Sequence, residues 1–195
     1  MFDFDGVIAD SLDDQSRAYM HAFRAHGLGH LATRQQFVDF TEDNWFAALA
    51  AAGVPPTAVE DVEEAISSTP VPELFPGMPE VIERLGAAHH VVVITSSRTA
   101  MVERILRAHD VRGVVEVLGG DGEPSKTKKI RAVRRRVSEA VPAWYVGDTI
   151  GDMVEARAAG VVTVGAAWGW HGAERLLRAA PDHLAYAPSD LLDLF

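Results

Sequence analysis

The chain has 195 residues, with 18 lysines and arginines against 28 aspartates and glutamates, a formal net charge of -10 and no cysteine. A chain of this length buries a sizeable core without needing a disulfide or a structural metal, and its negative charge repels nucleic acid and anionic lipid at long range, which excludes polyanion binding as its main role. The longest uncharged runs, Trp45 to Val54 and Ala158 to Trp170, fall short of the roughly 20 apolar residues of a membrane span. Asp3 and Asp5 stand where an export signal would be basic, so a cytoplasmic location is expected, with neither membrane nor nucleic acid as partner.

In chain order, Met1 to Phe4 reads as the end of a strand. Residues 13–74 then show helix-period patterns and no strand, with helices expected at Asp13 to His26, Glu42 to Ala52 and Thr57 to Ser67, punctuated by Gly27, Gly53, Pro55 and Pro56. After the proline-rich stretch Pro70 to Pro79 the rhythm changes. A helix at Pro79 to Ala88 leads into apolar strands at His90 to Thr95, Val114 to Leu118, Trp144 to Gly147 and Val161 to Val164, with a last strand at His183 to Tyr186. The intervening helices are expected at Arg98 to His109, Lys126 to Glu139, Asp152 to Ala159 and Ala173 to Arg178. Alternation of this kind predicts an α/β fold, a doubly wound parallel sheet built from residues 1–12 and 75–195, with residues 13–74 inserted as a small helical cap.

Four segments at the carboxyl ends of these strands carry polar residues that packing does not require. In Asp3-Phe4-Asp5-Gly6, carboxylates two apart point the same way along an extended chain, and their repulsion is relieved by a hard cation. Thr95-Ser96-Ser97 offers hydroxyls and unpaired N–H groups to a phosphate, or simply caps the next helix. Lys126 opens a helix, where a cation opposes the helix dipole and a bound phosphate would justify it. The remaining basic residues up to Arg136 read as a solvated helix face. Gly147-Asp148 ends a strand and Asp152 lies in the following first turn; metal ligation accounts for Asp148, whereas Asp152 also suits a helix N-terminus. Open α/β sheets bind ligands at this edge.

Taken together, these segments resemble the four motifs of the haloacid dehalogenase-like hydrolase superfamily, in its C1-capped form. The resemblance covers nearly the whole chain: Asp3-Phe4-Asp5-Gly6-Val7, Thr95, Lys126, and Gly147-Asp148 with Asp152. It implies a Rossmann-like core, Mg2+ as cofactor and an aspartyl-phosphate intermediate on Asp3. Mg2+ is then held by Asp3, the Asp5 carbonyl and Asp148, phosphate oxygens by Thr95, Ser96 and Lys126, and Asp5 acts as acid and base while Asp152 orients the metal shell. Lys126 is preferred over Lys128 and Lys129 because it sits at the loop-to-helix junction with Ile130 four residues on. Aspartate at position 5 favours phosphoryl transfer over dehalogenation.

Only Met1 and Phe2 precede Asp3, where the resemblance implies several apolar residues, so the first strand is expected to be cut short and the middle of the sheet weakened. The Trp168-Gly169-Trp170 loop and the Pro181-Asp182-His183 turn resemble the phosphoglycolate phosphatase branch, which implies a small phosphorylated metabolite as substrate. Arg34, Asn44 and Trp45 are the cap residues expected to face it, although a tryptophan at helical period such as Trp45 is more often core than ligand contact. The eight histidines show no metal-ligand spacing and read as structural or solvated, with His171 the one to watch. A sugar-phosphate mutase of the same fold and a non-catalytic phosphate-binding protein are the competing readings.

Overall fold

A computed structural model of the chain describes residues 1–137 and 140–195. The expected helix Lys126 to Glu139 therefore ends, as described, at Val137. The N-terminal half is helical: α1 (Leu12–Ala25), α2 (Arg34–Asp39), a 3-10 turn at Phe40–Glu42, α3 (Trp45–Ala51) and α4 (Pro56–Ser67). Each begins on a recognisable start signal. Asp13 and Asp14 face the positive end of α1, the Thr33 hydroxyl accepts from the Gln36 N–H ahead of α2, Asn44 accepts from the Ala47 N–H ahead of α3, and Pro56 opens α4. The sequence reading missed α2, whose six residues carry only Phe37 and Val38 as buried apolar anchors and so complete no helical period.

From Met78 onward helices and strands alternate: α5 (Met78–Gly86), β1 (Val91–Ile94), α6 (Thr99–Ala108), β2 (Val114–Leu118), α7 (Lys126–Val137), β3 (Trp144–Gly147), α8 (Ile150–Ala158), β4 (Val162–Ala166), α9 (Gly172–Leu177) and β5 (His183–Ala185). All the strand pairs are parallel: β1 with β2, β3 with β4, and β4 with β5. The gap between β1 and β3 is closed by the N-terminal segment. Phe2 bridges Val93 on one side and Val146 on the other. Its N–H donates to the Val92 carbonyl at 2.9 Å and its carbonyl accepts from the Ile94 N–H at 2.8 Å, while the Asp3 N–H reaches the Val146 carbonyl at 2.8 Å. The first strand is short, hydrogen-bonded on both edges, and carries Asp3 into the middle of the sheet.

Helices cover both faces. Val91 and Val93 of β1 pack with Met78, Ile82, Val102 and Ile105 of α5 and α6, whereas Val92 and Ile94 pack with Ile130 and Val133 of α7 and Ala156 of α8. This is why β1 reads as an unbroken apolar run rather than an alternating one. Helices α1 to α4 gather Tyr19, Phe23, Phe37, Leu49 and Val62 around a separate apolar centre. Two antiparallel backbone segments connect the layers, with the Asp10 N–H bonded to the Glu73 carbonyl and the Phe75 N–H to the Ile8 carbonyl.

Phe2 is the side chain through which the central segment anchors, 3% exposed within the main core. Phe2→Ala is expected to cost about 3–5 kcal/mol, as for other buried aromatic truncations, measured as a fall in the urea midpoint at unchanged m-value; a loss under about 1 kcal/mol would show that the segment is not held by this side chain.

Candidate active site

The strand ends and the helical layer enclose a cavity of about 90 Å³, whose wall includes Asp3, Asp5, Thr95, Ser96, Lys126 and Asp152. Local chemistry explains how each side chain arrives there. Gly6 takes φ +76, a left-handed conformation that turns the chain out of the sheet, and the Ile8 and Ala9 N–H groups both return to the Phe4 carbonyl. A methyl group at Gly6 would overlap the Asp148 carboxylate, and one at Gly169 would overlap the Asp148 side chain and the Gly6 carbonyl. The turn after Asp5 and the Trp168–Trp170 loop can therefore close around Asp148 only as glycines.

Asp3 and Asp152 share the ammonium of Lys126, which donates to Asp3 Oδ2 at 2.7 Å and to Asp152 Oδ1 at 2.6 Å. The other Asp3 oxygen accepts from the Phe4 N–H. Burial raises the Asp3 carboxyl to about 7; Lys126 opposes that rise, and the charges of Asp152 and Asp5 add to it. For Asp152 burial also works against ionisation, but Lys126 and the Thr149 hydroxyl and N–H outweigh it and hold the group below the usual carboxylate range. Asp152 thus does double duty, completing a capping box with Thr149 at the start of α8 while anchoring the lysine. Burial disfavours the Lys126 charge as well, yet its two carboxylate partners raise its pKa.

Asp5 lies apart from this triad. Its Oδ1 accepts from Ser11 at 2.7 Å and from the Gln15 amide, and its Oδ2 accepts from the Ser97 hydroxyl at 2.6 Å. Burial still raises its pKa against these donors. Asp148 is fully buried; Oδ2 accepts from the Trp170 N–H at 2.6 Å, while Oδ1 has no hydrogen-bond partner. Its pKa is pushed up by burial and by the charges of Asp152 and Asp3. An orphaned buried carboxylate oxygen fits a missing cation. Asp3, Asp148 and Asp152 each offer one oxygen, all within 4.8 Å of one another, and three hard oxygens are the donor type that Mg2+ takes.

The other two lysines stand elsewhere. Lys128 is exposed and pairs with Glu123, whereas Lys129 is buried and donates to the Thr95 carbonyl at 2.6 Å and the Gly119 carbonyl at 3.1 Å. Lys129 thereby pins the loop after β1 to the loop after β2. Burial, with Lys126 adding to it, lowers its pKa to about 8.

The three suspected cap residues divide. Trp45 lines the cavity and also packs edge-on against Phe37 and Phe40. Asn44 lines the cavity too, but its amide donates to the Pro124 carbonyl and to Glu155, tying α3 to the core. Arg34 is absent from the cavity wall and pairs with Asp13 at the surface, because its position at the start of α2 turns it toward α1. The sequence reading missed Ser11, Gln15 and Ser97 as partners of Asp5. It also missed Glu155, which accepts from Ser125 and the Thr127 N–H and so fixes the loop that carries Lys126. Glu155 stands one helical turn after Asp152, which was the available signal.

The comparisons with known proteins agree with this geometry. The family model described as haloacid dehalogenase-like hydrolase matches residues 1–166. The chain belongs to that family. Among curated relatives, a protein named phosphoglycolate phosphatase from Synechococcus elongatus is 28% identical over 203 residues, covering 98% of this chain and 94% of that protein. One of the same name from Vibrio parahaemolyticus is 27% identical, covering 99% and 93%. Among solved structures, a haloacid dehalogenase-like hydrolase family protein from Streptococcus pneumoniae superposes with a TM-score of 0.77 at 21% identity, covering 100% of this chain and 96% of that one. A hydrolase from Pseudomonas syringae gives 0.79 at 20%, covering 98% and 94%. These two share the fold.

His171, half-enclosed by the helical layer, accepts from the Ile150 N–H at Nδ1 and meets the Thr41 hydroxyl at Nε2 at 2.9 Å. Burial, with Arg175 adding to it, lowers its pKa from 6.5 to about 4. Because the folded value lies below the unfolded one, the unfolded chain binds the extra proton, and stability is lost as pH falls from 6.5 toward 4. Between pH 7 and pH 5 this group should remove about 2 kcal/mol. Chemical denaturation of wild type and His171→Gln at the two values checks it: the loss on acidification should be smaller by that amount in the variant.

Proposed function

We propose that the chain is a Mg2+-dependent phosphatase that hydrolyses a small phosphomonoester, a phosphoglycolate-like compound or a sugar phosphate, through an aspartyl phosphate on Asp3. The observation that carries this reading is the convergence of strand-end Asp3, on the cavity wall, with the buried Asp148, whose Oδ1 has no hydrogen-bond partner. The names of the curated relatives support it. Residues 13–74 act as the cap over a core formed by residues 1–12 and 75–195.

Asp3, the Asp5 carbonyl and Asp148 would hold Mg2+, which when bound offsets negative charge on the phosphoryl oxygens. Every other role falls to the chain itself. Asp3 attacks phosphorus through the carboxylate oxygen not engaged by the Phe4 N–H, the oxygen that Lys126 meets. Lys126, the Thr95 hydroxyl and the Ser96 N–H stabilise the phosphoryl oxygens that gain charge in the transition state. Burial favours the protonated form of Asp5, which suits a group that gives a proton to the departing alkoxide and then takes one from the attacking water. Ser11, Gln15 and Ser97 hold that carboxyl in one orientation. Asp152 keeps Lys126 aimed at Asp3 and does not react.

Asp3→Asn should lower phosphate release from small esters by about four orders of magnitude or more, as loss of a nucleophile does. Asp5→Asn should lower kcat by roughly 100- to 10,000-fold, the usual contribution of general acid–base catalysis. Chelation should stop release, and added Mg2+ should restore it. Transfer of phosphate back to a sugar without free phosphate would instead establish a mutase, and a folded protein that binds phosphate but turns over no ester would establish a binding role.

A further inference from the structure

The part of the cavity beyond the phosphate-binding residues has an unusual balance of charge. Its apolar wall is formed by Phe37, Trp45, Val62, Ile66, Met101 and Trp170. Apart from Lys126 and the site aspartates Asp3, Asp5 and Asp152, Arg98 is the one cation that lines the cavity among the described residues, against Asp43, Glu63 and Glu155. Lys126 is committed to Asp3 and Asp152. Arg98, just after the phosphate-binding loop, is met from the cap by two glutamates of α4: its Nη1 lies 2.9 Å from Glu64 Oε2 and its Nη2 lies 3.7 Å from Glu63 Oε2. Burial raises the Glu63 pKa although Arg98 stands beside it.

Resting on the phosphatase reading, and choosing within it the sugar-phosphate-like class over the phosphoglycolate-like one, we propose that this site selects phosphomonoesters whose leaving group is an uncharged alcohol with an apolar or ring face, and discriminates against esters that carry a second anion such as a carboxylate. A carboxylate entering beside the phosphate meets Glu63 and Asp43, and the one cation within reach already faces two glutamates. Like charges brought together are a rejecting element. An uncharged ring or chain meets Phe37, Trp45, Ile66 and Trp170 and gains by removing that apolar surface from water. Glu63 and Glu64 are thus specificity residues: they close the cap onto Arg98 and withdraw its charge from the substrate.

The test compares phosphate release from benzyl phosphate and from phosphoglycolate, two esters of primary alcohols, with Mg2+ at low ionic strength. Wild type is expected to show kcat/KM at least about tenfold higher for benzyl phosphate. In Glu63→Gln/Glu64→Gln the ratio should move toward phosphoglycolate by about fivefold or more, because Arg98 is released. Arg98→Met should move it the other way, and this second variant separates a charge effect from a loosened cap. Equal or greater kcat/KM for phosphoglycolate in wild type, or a ratio that neither variant moves, overturns the selectivity. Release from neither ester, in a folded protein, overturns the phosphatase reading and this inference with it.

Discussion

The structure is organised around the burial of four aspartates, Asp3, Asp5, Asp148 and Asp152, at the end of one sheet. Removing an ionised carboxylate from water is expensive unless it is paired or hydrogen-bonded, and the surrounding sequence reads as a set of answers to that cost. Asp5 is met by neutral donors, Asp152 by an ammonium and a cap, and Asp3 by the other side of the same ammonium. Asp148 receives a single backbone N–H. One direct lysine cannot balance this set, and the surplus negative charge suits a divalent cation.

That constraint reaches into backbone geometry. Four carboxylates can converge only if the chain around them is thin, and glycine supplies the thinness where Gly6 and Gly169 press against Asp148. Gly151 does the same at the cap, since a side chain there would strike the Thr41 and Asp43 carbonyls. The Trp168–Trp170 loop serves the site twice. Its backbone satisfies Asp148, and the Trp168 indole donates to the Val7 carbonyl, fastening the turn that follows the nucleophile. A stretch that reads in the sequence as an aromatic, glycine-rich linker is a clamp on the first motif.

The core was legible in the sequence because strands buried on both faces announce themselves as apolar runs, and because functional groups at their carboxyl ends have no packing reason to be there. Val114 to Leu118 and Trp144 to Gly147 coincide with the observed strands, whereas the strand expected at Val161 to Val164 runs from Val162 to Ala166. The small residues Gly165 and Ala166 hid its end. The site's supporting groups were illegible for a different reason. Gln15, Ser97 and Glu155 act through contacts with residues far along the chain, fixed by how α1, the loop after β1 and α8 pack, and polar residues on helix faces look alike whether they are solvated or committed. Arg34 shows the converse: a cation in the cap looked like a substrate ligand and is spent on Asp13.

The way the cap meets the core follows from the same economy of charge. Phe37 touches Trp170 across the boundary, but most of the remaining ties are polar: Arg175 to Asp39 and Glu42, Arg178 to Glu42, Asn44 to Glu155, and Arg98 to Glu63 and Glu64. Partly exposed pairs of this kind contribute about 0–1 kcal/mol each, so they align the cap without gluing it down, in contrast to the apolar centre that holds α1 to α4 together. A cap with its own core and a polar seam can separate from the sheet by exchanging ion pairs for water, at far less cost than exposing apolar surface. The pairs that line the cavity differ from the rest of the seam in one respect: a ligand can compete for them. Selection among substrates is therefore concentrated at Arg98 and its two glutamates, where closing the cap and recognising the ester draw on the same charge.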